Sequence, residues 1–410
     1  MKADAVKIGD AVYWVGVLDW DIRNYHGYTL GGTSYNAYLI KDEKTALIDT
    51  VDILFGKEFT DKMAETMDLT RLDYIVINHT EPDHSGALGS IARKALNAKI
   101  LCTAPAVYEL MEMYKIGKER FQVVTNGEEI SLGEKTLVFY ETPYLHTEET
   151  MVTYLKEDEV LFTCDIFSTH VADKDHLLVS ELPEGTSIME DYDTYYQLIM
   201  DPHRRYVLPM IDVVKPLSLK IIAPSHGYVL DQDLSSYISV YENHALESKK
   251  EVSALILFNT MSGNTKKMAR MLENELVKEG IKVEAINTEK ADLDEIYTKI
   301  QKADGILFGT STRYADIPGN LEVILKELKD LEVEGKPAAA FGSYGWSGEA
   351  VEVVEDYLRA ADLRTLRSSD IIKSTGMSDI EFPLRVRFNP ENSEKEIKKA
   401  AAVFIDVLRY

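Results

Sequence analysis

Cysteine is nearly absent from this 410-residue chain: only Cys102 and Cys164 occur, each inside an apolar, strand-like run (KILCTAP and LFTCD). Two thiols with no C-x-x-C pair exclude a disulfide framework, a zinc ribbon and a built-in rubredoxin-type iron site. Both are expected in the core, where free cysteine commonly lies. Any metal must then be held by histidine and carboxylates. Positive charge is scarce too. Lys and Arg number 45 against 69 Asp and Glu, leaving a net charge of −24 and a pI near 4.8. That balance argues against nucleic acid, whose phosphates need clustered cations. No apolar run approaches the roughly 20 residues that cross a bilayer, and MKADAVKIGDAV at the start has no apolar h-region. No repeat or low-complexity tract is evident. The expectation is a soluble, cytoplasmic protein without nucleic-acid or membrane partners, long enough for two domains.

The chain changes rhythm part-way. In the first half, strand-like runs such as AVYWVGVL (11–18), SYNAYLI (34–40), TALIDT (45–50), LDYIVIN (72–78) and KILCTA (99–104) mix with helical stretches at 55–67 and 106–117. TLVFYETP (136–143), TMVTYLKEDEVLFTCD (150–165) and KIIAPSHG (220–227) continue the strand pattern. From 252 onward strands and helices alternate strictly: VSALILFN, IKVEAINT, DGILFGTS, PAAAFGSY and TLRSSDII are strands, and the chain closes as a helix. Such βα alternation predicts a parallel, doubly wound sheet. The boundary is placed at 250, in the polar stretch ENHALESKKE (242–251), giving domains 1–250 and 251–410.

Residues 78–86 read NHTEPDHSG, so His79, Glu81, Asp83 and His84 fall within six positions just after an apolar strand. Gathering two acids and two imidazoles is costly unless something positive neutralises them. His146 (ETPYLHTE), Asp165 (after VLFTC) and His226 (IIAPSHGY) lie at comparable strand ends. H-x-E-x-D-H, then an isolated His, an Asp after a strand and a final S-H-G, resembles the metallo-β-lactamase fold. That resemblance implies an αββα sandwich with a two-metal site at one edge. Glu81 stands where the superfamily's zinc hydrolases have histidine, and this change resembles the flavodiiron proteins, or A-type flavoproteins. Oxygen and nitrogen donors without sulfur suit iron or manganese. Carried over from the family, His79, Glu81 and His146 hold one iron, Asp83, His84 and His226 the other, and Asp165 bridges them.

The second half carries an anion loop. FNTMSGNTKKMA (258–269) sets Thr260, Met261, Ser262, Gly263, Asn264 and Thr265 between a strand and a helix N-terminus, where hydroxyls and backbone N–H groups can cradle a phosphate. It has neither the G-K-[ST] of a nucleotide triphosphatase nor G-x-G-x-x-G, and resembles the flavodoxin loop for the FMN monophosphate. Two more strand ends, GTSTRYAD (309–316) and GSYGWSGE (342–349), supply Thr310, Ser311, Thr312, Arg313 and Tyr314, then Ser343, Tyr344, Gly345, Trp346, Ser347 and Gly348. Flavodoxins meet the isoalloxazine there; Tyr314, Tyr344 and above all Trp346 can lie against a flat ring.

Both halves in this order cover essentially the whole chain in the flavodiiron pattern. The resemblance implies an oxidoreductase with FMN and a non-haem di-iron centre, reducing dioxygen to water, nitric oxide to nitrous oxide, or both. It also implies a head-to-tail homodimer or a homotetramer. DWDIRNYHGYTLGGTSYNAYL (19–39) closely resembles the methanogen members, which oxidise the reduced deazaflavin coenzyme F-420, so that donor is expected first and rubredoxin second. Tyr25 and His26 would then lie near the irons, His170 could support a ligand, and Arg204, Arg205 or Arg313 could form a basic patch for the anionic coenzyme. The rivals are a binuclear zinc hydrolase fused to a flavodoxin module, against which Glu81 speaks, and an electron carrier with a vestigial metal site.

Overall fold

The computed structural model describes residues 5–25, 28–29, 31–246, 252–366 and 382–409. The chain divides into two compact units, Met1–Glu247 and Ser248–Tyr410.

The first unit holds two sheets. One runs in the order β1 (Val6–Lys7), β2 (Val12–Trp14), β3 (Tyr38–Lys41), β4 (Thr45–Ile48), β5 (Tyr74–Val76), β6 (Lys99–Cys102) and β7 (Phe121–Val123), antiparallel as far as β4 and parallel beyond. The other is β8 (Glu129–Ser131), β9 (Thr136–Glu141), β10 (Met151–Leu155), β11 (Val160–Cys164) and β12 (Ile221–Pro224), antiparallel except for the last pair. Successive strand residues point to opposite faces, and here both faces are buried. Tyr38, Ile40, Ile48, Val76 and Leu101 meet Leu137, Phe139, Val160 and Phe162 between the sheets. Their neighbours Leu39, Leu47, Ile75 and Ile100 pack outward with Phe59, Ile91 and Leu110 of the helices Gly56–Thr66, Leu88–Lys94 and Ala104–Tyr114. Val138, Leu161 and Ile222 face the helical stretch 189–214 and the helix Leu234–Leu246. This is the expected αββα sandwich, and double burial explains why its strands read as continuous apolar runs.

Three details differ from the sequence expectation. The runs 11–18 and 34–40 are each split, with Val17–Asp19 and Thr33–Tyr35 forming a separate ribbon. Gly16 permits the break, for a Cβ there would lie 2.3 Å from the Tyr35 carbonyl oxygen. The polar stretch at 242–251 is helical as far as Leu246, since Tyr237, Ile238 and Tyr241 anchor that helix in the core. The strand expected over 365–372 lies mostly outside the described residues.

In the second unit β13 (Ser253–Phe258), β14 (Lys282–Asn287), β15 (Gly305–Ser311), β16 (Pro337–Tyr344) and β17 (Arg364–Thr365) form a parallel sheet in the order β14-β13-β15-β16-β17. A further strand, β18 (Leu384–Arg387), also pairs parallel with β16. Ile256, Leu307 and Phe341 face the helices Asn264–Lys278 and Glu394–Arg409. Leu257, Phe308 and Ala340 face Leu293–Lys302, Leu321–Glu327 and Ala350–Ala360. Strand order reverses at β13, so the carboxyl ends of β13 and β15 flank the crevice where such sheets bind ligands.

Candidate functional site

The chain after β5 turns through His79 and Thr80 into a one-turn helix, Pro82–Ser85. Pro82 suits a first helical position, and the Glu81 carbonyl accepts from the N–H groups of His84 (3.0 Å) and Ser85 (2.9 Å). Asp83 and His84 therefore stand on a helical turn, not on the loop that the sequence suggested. Gly86 allows it to seat against the loop after β4, because a Cβ there would come within 2.5 Å of the Ile53 nitrogen. His146 follows β9, Asp165 follows β11 and His226 follows β12.

These side chains converge. Asp165 Oδ2 lies 3.6 Å from His79 Nε2, 3.3 Å from His84 Nε2 and 3.2 Å from His146 Nε2, while its Oδ1 is 3.2 Å from His226 Nε2. Asp83 Oδ2 is 3.1 Å from His84 Nε2 and 3.2 Å from His226 Nε2. Glu81 Oε2 stands 3.5 Å from His79 Nε2 and 3.8 Å from His146 Nε2. Despite this crowding, the buried atoms His79 Nε2, His84 Nε2, Asp83 Oδ2 and Asp165 Oδ2 have no hydrogen-bond partner. Buried polar atoms are rarely left so. Ring nitrogens and carboxylate oxygens turned on a common space, without donor–acceptor alignment, are what a cation needs and what a hydrogen-bonded network avoids.

The opposite edges of the His79, His226 and His84 rings are held. His79 Nδ1 is 2.7 Å from Glu149 Oε1, and His226 Nδ1 is 2.7 Å from the Ser34 carbonyl oxygen. His84 Nδ1 lies 3.6 Å from Cys164 Sγ. Tyr195 donates its hydroxyl to Asp165 Oδ1 at 2.9 Å. Such outer contacts orient metal-binding rings and fix their tautomers. Burial raises the carboxyls of Asp83 and Asp165, but the imidazoles around them, His84 foremost, hold both well below the usual range. Burial pulls His79 and His84 down, yet the carboxylates prevail and raise both; His226 reaches about 9 for the same reason. The residues fit hard-to-borderline metal ions: the donor groups fall into His79–Glu81–His146, Asp83–His84–His226 and His79–His84–Asp165, each set within 4.8 Å.

In the second unit the three expected loops are tied at their base by hydroxyls. Thr265 Oγ1 lies 3.0 Å from Ser311 Oγ and 2.9 Å from Ser343 Oγ, all three buried. Thr260 Oγ1 accepts from the Gly263 N–H at 3.0 Å, and Gly263 (φ +86°) turns the chain into the helix beginning at Asn264. Thr310 is buried, Thr312 Oγ1 is buried without a hydrogen-bond partner, and Met261 is exposed. Tyr314 and Trp346 stand 89% and 94% exposed. The Arg313 guanidinium lies over Tyr314, 5.2 Å from its ring centre. The Gly345 carbonyl accepts from Arg387 Nε at 3.3 Å, Gly348 (φ +82°) turns beside the Tyr344 ring, and Ser347 lies on the same loop.

Other expectations fare differently. Tyr25 belongs to a short strand, but its side chain and all of His26 lie outside the described residues. His170 Nδ1 is 2.8 Å from Thr33 Oγ1 and its ring stands 4.8 Å from that of His226, so it reaches the ligand cluster through an aromatic contact. Arg204 is engaged by Asp201, and Arg205 stacks on Tyr206, which weakens both as a basic patch. The sequence did not single out Glu149, Tyr195, buried His203 (ring 6.1 Å from His146), Asn259 or exposed Phe388 after β18. Glu149, three positions after His146, was findable by spacing; Tyr195 was not.

Comparison with known proteins bears on both units. Residues 33–227 match the ODP family β-lactamase model and residues 256–398 the flavodoxin model. The chain is 37% identical over 401 residues to the anaerobic nitric oxide reductase flavorubredoxin of Pectobacterium carotovorum, covering 96% of this chain and 76% of that protein. It is 36% identical over 365 residues to the same-named protein of Salmonella typhi, with 87% and 76% covered. Among solved structures it resembles the rubredoxin oxygen:oxidoreductase of Desulfovibrio gigas (29% identity, TM-score 0.57, 99% and 98% covered). The flavodiiron protein of Giardia intestinalis is similar at 25% identity and a TM-score of 0.57, with 99% of each chain covered. These relatives are flavodiiron-type proteins and give no support to a methanogen, deazaflavin-specific kinship.

Proposed function

The chain belongs to the flavodiiron protein family, and from that premise we propose that it reduces nitric oxide, dioxygen or both at a di-iron centre, drawing electrons through FMN from a rubredoxin-type donor. The observation that carries this reading is the convergence of buried, unpartnered imidazole and carboxylate atoms around Asp165. In this proposal His79, Glu81 and His146 hold one iron and Asp83, His84 and His226 the other. Asp165, whose oxygens reach rings of both sets, would be shared between them. Glu81 supplies oxygen where a zinc hydrolase would use nitrogen, which favours iron over zinc. When bound, two irons would supply redox and Lewis-acid chemistry for a small gas, and FMN would supply the exchange of electrons with the donor.

The protein's share is positional. Glu149 and the Ser34 carbonyl fix His79 and His226 so that Nε2 faces the cluster, and burial of His79, Asp83, His84, Asp165 and His226 limits water there. In the second unit the N–H groups at the start of the Asn264 helix, with Thr260, Ser262 and Thr265, receive the FMN phosphate. Arg313, Tyr314, Tyr344 and Trp346 would lie near its ring. The donor assignment follows the names of the relatives; the coenzyme F-420 suggested by residues 19–39 is the competing donor. A head-to-tail dimer, or a tetramer of such dimers, in the cytoplasm completes the reading. Among the described residues no helix is long and apolar enough to cross a membrane.

The deciding experiment is anaerobic turnover of iron- and FMN-loaded protein, supplied with reduced rubredoxin, reduced F-420 or NADH, against nitric oxide and dioxygen separately. Rubredoxin-driven gas consumption that disappears in Asp165→Ala with FMN retained is the expected result. Full zinc occupancy with hydrolytic activity, or an Asp165→Ala protein of unchanged turnover, overturns the proposal.

A further inference from the structure

Behind His79 a hydrogen-bond chain runs to the surface, and its hydrogen count is unbalanced. Glu149 Oε1 receives His79 Nδ1 at 2.7 Å, the Thr80 N–H at 3.0 Å, Thr147 Oγ1 at 2.9 Å and Thr80 Oγ1 at 2.8 Å. The same Thr80 hydroxyl lies 2.5 Å from Oε2 of Glu109, an exposed residue on the helix Ala104–Tyr114. A hydroxyl has one hydrogen. It cannot donate to two carboxylates, so both contacts are hydrogen bonds only when one acid carries a proton. Glu149, with its other donors, is the anion, and the proton falls to Glu109.

We propose that Glu109 is a positioning residue for the metal centre: protonated, it turns the Thr80 hydrogen onto Glu149, and ionised, it takes that hydrogen away. Glu149, one donor short, then draws harder on the Nδ1–H of His79 and makes that ring a stronger ligand. The groups facing Glu109 are Glu148 and Glu149 from the loop after β9 and His79 from the loop after β5, with Glu112 one turn along its own helix. Burial first, then Glu149 and Glu148, raise its carboxyl, outweighing Thr80 and His79.

The inference rests on the di-iron reading but is separable from it. In the full metal-free chain, infrared titration should show a protonated carboxyl that titrates above the ordinary glutamate midpoint of about 4.3 and is missing in Glu109→Gln. In iron-loaded protein, competition with a chelator reads affinity against pH. The amide of Glu109→Gln can donate to Thr80 as the protonated acid does, so the variant is locked in the weaker form. Wild type should match it at low pH and exceed it by about tenfold above the Glu109 midpoint, the scale of outer-contact effects on metal sites. Thr80→Val, lacking the hydroxyl, should hold the tighter form throughout. A Glu109→Gln profile parallel to wild type at every pH, or absence of the carboxyl band, overturns the proposal. Failure of wild type to bind iron sinks the di-iron reading instead, and the infrared band then decides the proton on Glu109.

Discussion

Burial pushes the Cys102 thiol up to about 12, and pushes Cys164 up to about 11 against the pull of His84. Since the thiolate is the reactive form, a thiol-directed probe at neutral pH should label neither cysteine until the fold opens, and rapid labelling of native protein would contradict that. His203 shows the opposite shift: burial, then His146 and Arg205, lower it to about 3. The unfolded chain, with histidine near 6.5, binds this proton first as pH falls. The sign follows: this residue's stabilising contribution is full above about 6.5 and shrinks toward pH 3, with a limiting slope of about 1.4 kcal/mol per pH unit. Comparing His203→Phe with wild type by urea unfolding across that window should show a shallower acid loss in the variant. Single residues were partly legible here. The two thiols announced their burial by lying in apolar runs, whereas nothing near His203 in the sequence indicates what surrounds it.

The elements explain how the ligands are presented. Asp165 and His226 follow strands buried along their whole length, so the strand end is fixed by core packing and the side chain beyond it inherits that precision. Gly227, directly after His226, has φ +75°, and a Cβ there would lie 2.0 Å from Thr169 Oγ1. Gly227→Ala should therefore cost on the order of 2 kcal/mol or more and displace His226. Denaturant midpoint and iron content measure the two effects, and an unchanged iron content would show that the loop can shift without moving its ligand. Strand positions were readable from apolar runs. The Pro82–Ser85 turn and the end of the Leu234–Leu246 helix were not, because short helices are decided by what they pack against rather than by their own periodicity.

At the scale of the whole molecule, two units with separate cores should unfold as separate transitions. A ligand that binds only the native form of one unit stabilises that unit alone, by about 2.7 kcal/mol at a hundredfold excess over Kd. Calorimetry of the full chain should show iron removal lowering one transition and FMN addition raising the other. A single transition that moves with both ligands would contradict the independence of the cores. The charge of −24 belongs to this scale too. It leaves the docking of a donor protein to local patches, and the engagement of Arg204 by Asp201 weakens that residue as part of one.

The sequence by itself determined the mixed rhythm of the first half and the strict βα alternation of the second, the identity of the donor atoms gathered at the strand ends, and the loop chemistry suited to a phosphate. These are local properties: strand alternation, residue type, and hydroxyls beside a glycine at a helix start. Only the tertiary structure decided that Asp165 stands among four imidazoles, that Glu149 backs His79, and that one Thr80 hydrogen is contested by two carboxylates. Those relations join residues dozens of positions apart. Their distances are set by how two sheets pack, and no spacing along the chain encodes that.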